Sequence, residues 1–281
     1  MQNQKNIAIL LSTYNGERYL SEQLDSILAQ SCQDFTLYIR DDGSKDSTMD
    51  IVQSYAAKHN NIVIIYSNKN LGCTKSFLTL LLEVESCYYM FCDQDDIWLA
   101  NKIKDSFMSI KEVETLHPKK SAIVYTDLSA VDGELNVIYP SMWEFRKHQE
   151  KLPHSFNYLC HFHDIDGCTM IFNKEAKRQI QKESYEPVPS FMYHDWLLAL
   201  IVSKSNGLII PLNKQTMLFR RHGDNETNAI EQTKSILHNF RRIMEYRNMQ
   251  LERWRYFCRI KKISIFSFFL YKLILVAKRD L

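Results

Sequence analysis

Four short apolar runs in the first 93 residues are each followed by a stretch whose apolar residues recur at helical spacing. The runs are "IAILLS" (Ile7–Ser12), "FTLYIRDD" (Phe35–Asp42), "IVIIYS" (Ile62–Ser67) and "YYMFCD" (Tyr88–Asp93). Leu20, Leu24, Ile27 and Leu28 share one helical face, and Met49, Val52, Tyr55 and Ala56 another. A helix over Lys75–Leu82 follows the third run, and Ile103, Phe107, Ile110 and Val113 follow the fourth. "AIVYTD" (Ala122–Asp127) begins again as a strand. Such alternation predicts an α/β fold, a Rossmann-like, mostly parallel sheet with helices on its flanks. Strand after strand ends in polar groups: Ser12-Thr13-Tyr14-Asn15, Asp41-Asp42, Ser67-Asn68, Asp93 and Asp127. In open α/β sheets the carboxyl edge of the strands is where ligands bind.

The middle of the chain is less regular. "DGE" at Asp132–Glu134 predicts a turn, and Tyr139–Pro153 a loop near the site. "CTMIFN" (Cys168–Asn173) and "GLIIPL" (Gly207–Leu212) predict strands. Between them "HDWLLALIVSKS" (His194–Ser205) predicts a helix with Asp195 in its first turn.

"FCDQDDIW" places three carboxylates in four positions directly behind a buried run. Carboxylates this close repel one another and are costly to desolvate, so a cation is the expected partner. On extended backbone Asp93 and Asp95 point the same way and converge, while Asp96 faces elsewhere. Hard divalent cations such as Mg2+ or Mn2+ take one or two carboxylates together with phosphate oxygens. The Asp-x-Asp pair therefore reads as a metal–diphosphate site. In "YIRDDGSKDST" the strand turns through a Gly into a helix capped by Ser44 or Asp46, yet two adjacent Asp remain at the sheet edge. One of those carboxylates can accept the imide N–H of a uracil or thymine. Tyr14, in "STYNGERYL", offers a ring for stacking on a base. Neither a G-x-G-x-x-G nor a G-x-x-x-x-G-K-[ST] grip occurs, which favours a metal-assisted hold on phosphate.

Together, "STYNGERYLSEQLDSILAQS", "YIRDDGSKDST", "NLGCTKSF" and "FCDQDDIWLANKI" resemble an inverting family 2 glycosyltransferase with the GT-A fold. "GCTMIFN", "HDWLLAL" and "FRRHGDN" resemble the subgroup of bacterial rhamnosyltransferases that build cell-surface polysaccharide. The resemblance spans roughly residues 5–228. It implies a catalytic domain over 1–228, with a nucleotide-binding half to about residue 127 and an acceptor-binding half beyond it. It implies that Ser12, Tyr14, Asn15 and Glu17 line the nucleotide pocket, with Asp42 on the base and Asn70 and Lys75 near the base or phosphates. Asp93 and Asp95 would form the Asp-x-Asp motif, Asp95 as the direct metal ligand, with His222 beside metal and diphosphate. Asp195 matches the catalytic base, although His194 stands where many relatives carry Glu. Phe219 and Arg221 also depart from the Tyr and Gln common around that His, and Ala100 replaces a common Pro.

Trp143, in "YPSMWEF", and Asp127 are the acceptor-side candidates. His161 and His163 in "HFHD" read as a loop pair near the acceptor or on the surface rather than metal ligands, and Trp98 and Trp196 as core edges. The implied donor is a dTDP- or UDP-sugar, with dTDP-rhamnose the first choice. The implied acceptor is a glycan or lipid-linked oligosaccharide of O-antigen or capsule synthesis, with Mn2+ or Mg2+ as cofactor. A UDP-hexose or UDP-HexNAc transferase of the same fold is the near alternative. A sugar-nucleotide nucleotidyltransferase would show a Gly-rich loop where "STYNGER" has one Gly, and a non-catalytic scaffold would not keep Asp93, Asp95, Asp195 and His222.

Charge is distributed unevenly. From Glu231 onward there are twelve Lys or Arg against four Asp or Glu, leaving 23 basic and 29 acidic groups before it. Residues 229–281 therefore read as a basic amphipathic helical extension. It would pack on the body or on a second copy in a homodimer, or meet anionic lipid. The apolar run Ile263–Ala277 contains Lys272 and is short for a membrane span. Seven Cys with no C-x-x-C pair suggest reduced thiols. With no secretory leader pattern, the expected location is the cytoplasmic face of the membrane, where the Asn225–Thr227 sequon would go unused. No nucleic-acid-binding module is recognisable.

Overall fold

A computed structural model describes residues 6–67, 69–147, 154–183, 186–223 and 240–279, without the side chains of 240–246 and 275–279. Asn68, the sequon and the 228/229 domain boundary lie outside the described residues. One nine-stranded sheet carries the fold, in the order β3-β2-β1-β4-β8-β6-β9-β5, with β7 paired to β6. The strands are β1 (Ile7–Thr13), β2 (Phe35–Asp41), β3 (Ile62–Ile65), β4 (Tyr88–Cys92), β5 (Ile97–Trp98), β6 (Ala122–Val131), β7 (Val137–Tyr139), β8 (Met170–Asn173) and β9 (Leu208–Arg220). β1 to β4 are parallel throughout, each pair joined by a crossover helix. Beyond β4 the sheet is mixed: β8 runs antiparallel to β4 and β6, and β9 runs parallel to β6.

β1 is central and has a continuous apolar sequence because both of its faces are covered. Ile7, Ile9 and Leu11 point to one face, with Leu37, Ile39 and the apolar stripe Leu20, Leu24 and Ile27 of α1 (Leu20–Leu28). Ala8 and Leu10 point to the other, where α3 (Cys73–Glu83), α7 (Lys174–Lys182) and α8 (His194–Lys204) pack. α2 (Thr48–Lys58) and α4 (Lys102–Leu116) cover the first face with α1. Burying each such Leu or Ile contributes about 1.5–3 kcal/mol.

Two features of the second half go beyond the sequence pattern. Tyr139–Pro153 carries a helical turn, α5 (Met142–Phe145), and another, α6 (Phe156–Leu159), follows the loop. β9 is also twice the expected length. Its polar Asn213-Lys214-Gln215 interrupts the apolar run, but the strand resumes after a register shift against Thr126–Asp127. The resumed part pairs with β5, Leu218 opposite Ile97, and so returns the chain to the carboxyl edge of β4.

The basic extension packs on the body through two helices, α9 (Phe240–Ile260) and α10 (Ile265–Arg279). Tyr256, Phe257, Ile260 and Phe268 join the core beside Phe191 and Trp196. Among the described residues no helix is long and apolar enough to cross a membrane.

Candidate active site

β4 ends at Cys92, and Asp93–Asp96 bend before β5 instead of staying extended. The bend overturns one expectation: Asp96 does not face away from the other carboxylates. It is fully buried, and its carboxylate, that of Asp93 and the Cys168 thiol come within 4.8 Å of one another. Asp96 Oδ1 accepts from the Arg220 backbone N–H at 3.1 Å, while Oδ2 has no hydrogen-bond partner. Burial, then the charges of Asp95 and Asp93, push the Asp96 carboxyl well above its ordinary range. Asp95 Oδ2 meets His222 Nε2 at 2.8 Å, which is what the returning β9 makes possible.

Arg220 holds this turn and was not singled out by sequence. Its buried guanidinium donates to the Asp95 carbonyl at 3.0 Å, the Gly133 carbonyl at 2.7 Å and Glu22 at 2.6 Å. The available signal was its place in "FRR", at the carboxyl end of a strand. Gln94 does similar work from within the acidic motif. Its side-chain oxygen accepts from Thr13 Oγ1 and the Tyr14 N–H, and its amide donates to the Tyr14 carbonyl. Gly16 is required beside it, since a Cβ there would lie 2.3 Å from Gln94 Oε1. The carboxylates of Asp93, Asp95 and Asp96, one oxygen of which is buried without a hydrogen-bond partner among the described residues, and the His222 imidazole form a hard donor set that fits Mg2+ or Mn2+, with the Cys168 thiol beside it.

A cavity of about 580 Å³ opens over this edge, within the range of small-ligand sites. Ser12, Tyr14, Asp42, Asn70, Asp93 and Asp95 line it, as does Asp195. Tyr14 is 44% exposed, so its ring is free to stack. Asp42 is largely engaged: its oxygens accept from Arg40 and from the Leu71 and Gly72 N–H groups. Asn15, Glu17, Lys75 and His222 do not line the cavity; His222 reaches the acidic turn through Asp95. Asn15 and Glu17 staple the β1–α1 loop to the start of α2, accepting from the Lys45 and Ser47 N–H groups at 2.9 Å each. Lys75 is exposed on the first turn of α3.

Asp195 sits in the first turn of α8, where the helix N-terminus favours negative charge. Oδ2 accepts from the Gly167 N–H at 2.8 Å and Oδ1 from its neighbour Trp196 N–H at 2.6 Å. Gly167 permits that approach, since a Cβ would lie 3.0 Å from the Asp195 Cβ. His163 Nε2 lies 3.2 Å from Asp195 Oδ1, an ion-pair contact that places His163 inside the site rather than at its periphery. Burial alone would raise the Asp195 carboxyl, but the His163 charge and the surrounding donors hold it well below the usual carboxylate range. His194, in place of the acidic residue, stacks on Phe77 with ring centroids 4.1 Å apart; burial pushes it down to about 4, so it is neutral.

Both acceptor candidates are corrected. Trp143 is buried against the Tyr125 ring and does not line the cavity. Asp127 is 1% exposed, and its oxygens accept from Ser141 Oγ, Gln215 Nε2 and the Leu128 and Trp143 N–H groups. The carboxylate is fully occupied in holding α5 and the shifted strand β9, with nothing left for a ligand. Trp98 and Trp196 are buried, as expected.

An acidic turn and a lone carboxylate facing one cavity at a sheet edge suit transfer from an activated phosphate ester. Residues 8–180 match the model of the family described as Glycosyl transferase family 2. The chain belongs to glycosyltransferase family 2. It is 29% identical over 229 residues to the dTDP-rhamnosyl transferase RfbG of Shigella flexneri, covering 78% of this chain and 74% of that one. It is 30% identical over 165 residues to the uncharacterized glycosyltransferase RP339 of Rickettsia prowazekii (strain Madrid E), covering 59% of this chain and 49% of that one. The match thus spans about half the length of that relative. Among solved structures, S. aureus TarS 1–349 in complex with UDP-GlcNAc superposes with TM-score 0.63 at 17% identity, over 96% of this chain and 71% of that one. The mannosyltransferase PcManGT of Pyrobaculum calidifontis, in complex with GDP-Man and Mn2+, superposes with TM-score 0.57 at 14% identity, over 99% and 81%. At such identities the likeness carries the fold alone, and that fold is GT-A.

Proposed function

We propose that this family 2 glycosyltransferase transfers a sugar, with inversion, from a dTDP- or UDP-sugar to a hydroxyl of a glycan or lipid-linked oligosaccharide in bacterial surface polysaccharide synthesis. The observation that carries the reading is the meeting of Asp93 and Asp95 with Asp195 on one cavity. In this scheme Tyr14 stacks on the base, with Asp42 beside it at the cavity wall. Asp93, Asp95 and His222 would hold Mn2+ or Mg2+, which when bound offsets the charge of the departing diphosphate. Asp195 takes the acceptor proton as its oxygen bonds to the anomeric carbon and the bond to the diphosphate breaks. One base and direct displacement invert the centre. Rhamnose from dTDP-rhamnose is the first choice, supported by the similarity to the Shigella transferase.

The test is a panel of UDP- and dTDP-sugars with Mn2+ or Mg2+, and then with chelator, read by binding and nucleotide release. One sugar nucleotide that stands out and needs the metal supports the reading. Metal-independent binding across the panel, or none at all, overturns it.

The same scheme places the enzyme peripherally at the inner face of the membrane. Supporting this, α10 leaves Phe266, Leu270, Leu273 and Ile274 exposed, close in sequence to the exposed Lys261 and Lys262. Co-sedimentation with anionic but not zwitterionic vesicles is expected, and Phe266→Asp should abolish it.

A further inference from the structure

The sequence treats "HFHD" as a bland loop, yet His163 is the side chain nearest in character to a partner for the base. Its ring is parallel to that of Trp196, with centroids 5.3 Å apart and an interplanar angle of 5°, and Tyr193 stacks at 6.4 Å. Those contacts fix the ring plane, so Nε2 meets Asp195 Oδ1 in one orientation. Nε2 is buried and forms no hydrogen bond, so the contact is an ion pair and not an in-line bond. Counting acceptor positions then becomes informative. Asp195 Oδ1 accepts from the Trp196 N–H and has the His163 ring held against it at 3.2 Å, and Oδ2 accepts from the Gly167 N–H. A carboxylate has about four acceptor sites, so one position on Oδ2 remains, on a group that lines the cavity.

We propose that His163 is a positioning residue for the catalytic base: it lies against Asp195 Oδ1 as its charge partner and screens that oxygen, so that the open lone pair of Oδ2 receives the acceptor hydroxyl. This rests on Asp195 being the base. The proton leaves the acceptor oxygen for Asp195 Oδ2, and His163 neither gains nor loses one in the step.

The electrostatics agree with the geometry. Burial would lower His163, but Asp195 on α8 raises it, with Asp166 and Asp164 of its own loop adding to the effect. Neutral His194 lies on the same turn of α8, Arg146 is paired to Asp166, and Arg253 of α9 sits over the Trp196 ring. The signs follow. Asp195 is depressed, so its part of the pairing is present above the ordinary Asp value of about 3.9 and is lost as pH falls through the depressed value. His163 is raised, so its part is present below about 6.5 and is lost as pH rises through the raised value.

Two measurements test this. Imidazole NMR titration of the full chain, with His163→Gln to assign the signal, should show His163 protonating above the ordinary value in the native protein. In Asp195→Asn the signal should fall, because burial is then opposed only by Asp166 and Asp164. Release of nucleotide from dTDP-rhamnose, or from whichever sugar nucleotide the panel selects, should in His163→Gln show kcat down about ten- to hundredfold with donor KM unchanged. The acid limb of its pH profile should move up by about one unit or more, since the carboxyl loses its counter-charge. If Asp195→Asn abolishes turnover while His163→Gln keeps native kcat and acid limb, this inference fails and the base stands. If Asp195→Asn keeps native turnover, the base reading fails and takes this one with it. A His163 signal at or below the ordinary value in the native protein overturns the pairing without any donor.

Discussion

Asp127 at the bulge of β6 and the acidic turn after β4 both put carboxylates at the same edge of one sheet, and they use them oppositely. Asp127 meets four donors and ties α5 and β9 to the sheet. The Asp93 and Asp96 carboxylates come together beside the Cys168 thiol, with one Asp96 oxygen lacking a hydrogen-bond partner among the described residues, and Asp95 meets the His222 imidazole. A saturated carboxylate stabilises the fold, whereas an under-satisfied cluster is costly until a cation or ligand arrives. Asp195 lies between these extremes, with two backbone donors, one imidazole in ion-pair contact and an open position on Oδ2. Unclaimed lone pairs therefore separate the acids proposed for binding and catalysis from the structural one.

The sharpest test of that distinction is Asp195→Asn, which keeps the shape and removes the basicity. Transfer should fall by about 10²- to 10⁴-fold in initial-rate assays while donor affinity holds. Asp127→Ala should do the reverse. Four donors lose their acceptor, so thermal denaturation should show a loss of about 2–4 kcal/mol, with donor affinity unchanged in the folded fraction. A folded Asp127→Ala protein that no longer binds donor would break the comparison. Asp95→Ala should weaken metal-dependent donor binding about ten- to hundredfold by titration, with little change in melting temperature. The smallest effect is expected for Trp143→Phe: about 1 kcal/mol of stability and an unchanged acceptor KM, because the ring packs on Tyr125 and not in the cavity.

Much of the donor side was legible in sequence because it is built from local pattern. Strands β1 to β4 and helices α1 to α4 each carry their own periodicity, and Tyr14, Asp42, Asp93 and Asp95 follow at the strand ends. Asn15 and Glu17 sit in the same motif yet face the neighbouring loop, a difference of side-chain direction that no spacing reveals. The second half of the chain was harder. Polar residues inside β9 hid its continuation, and with it the route by which Arg220 and His222 reach the acidic turn. Trp143 looked available because its surroundings are irregular, but irregular backbone can still be buried.

The sequence by itself determined the α/β class, the carboxyl edge as the site, the acidic turn and Asp195, since these depend on neighbours within a few residues. Only the tertiary structure decided which carboxylates are satisfied, that His163 faces Asp195 and that Arg220 pins the acidic turn. The last two are contacts between segments 32 and 125 residues apart, His163 with Asp195 and Arg220 with Asp95, and such contacts exist only once the sheet has set its order.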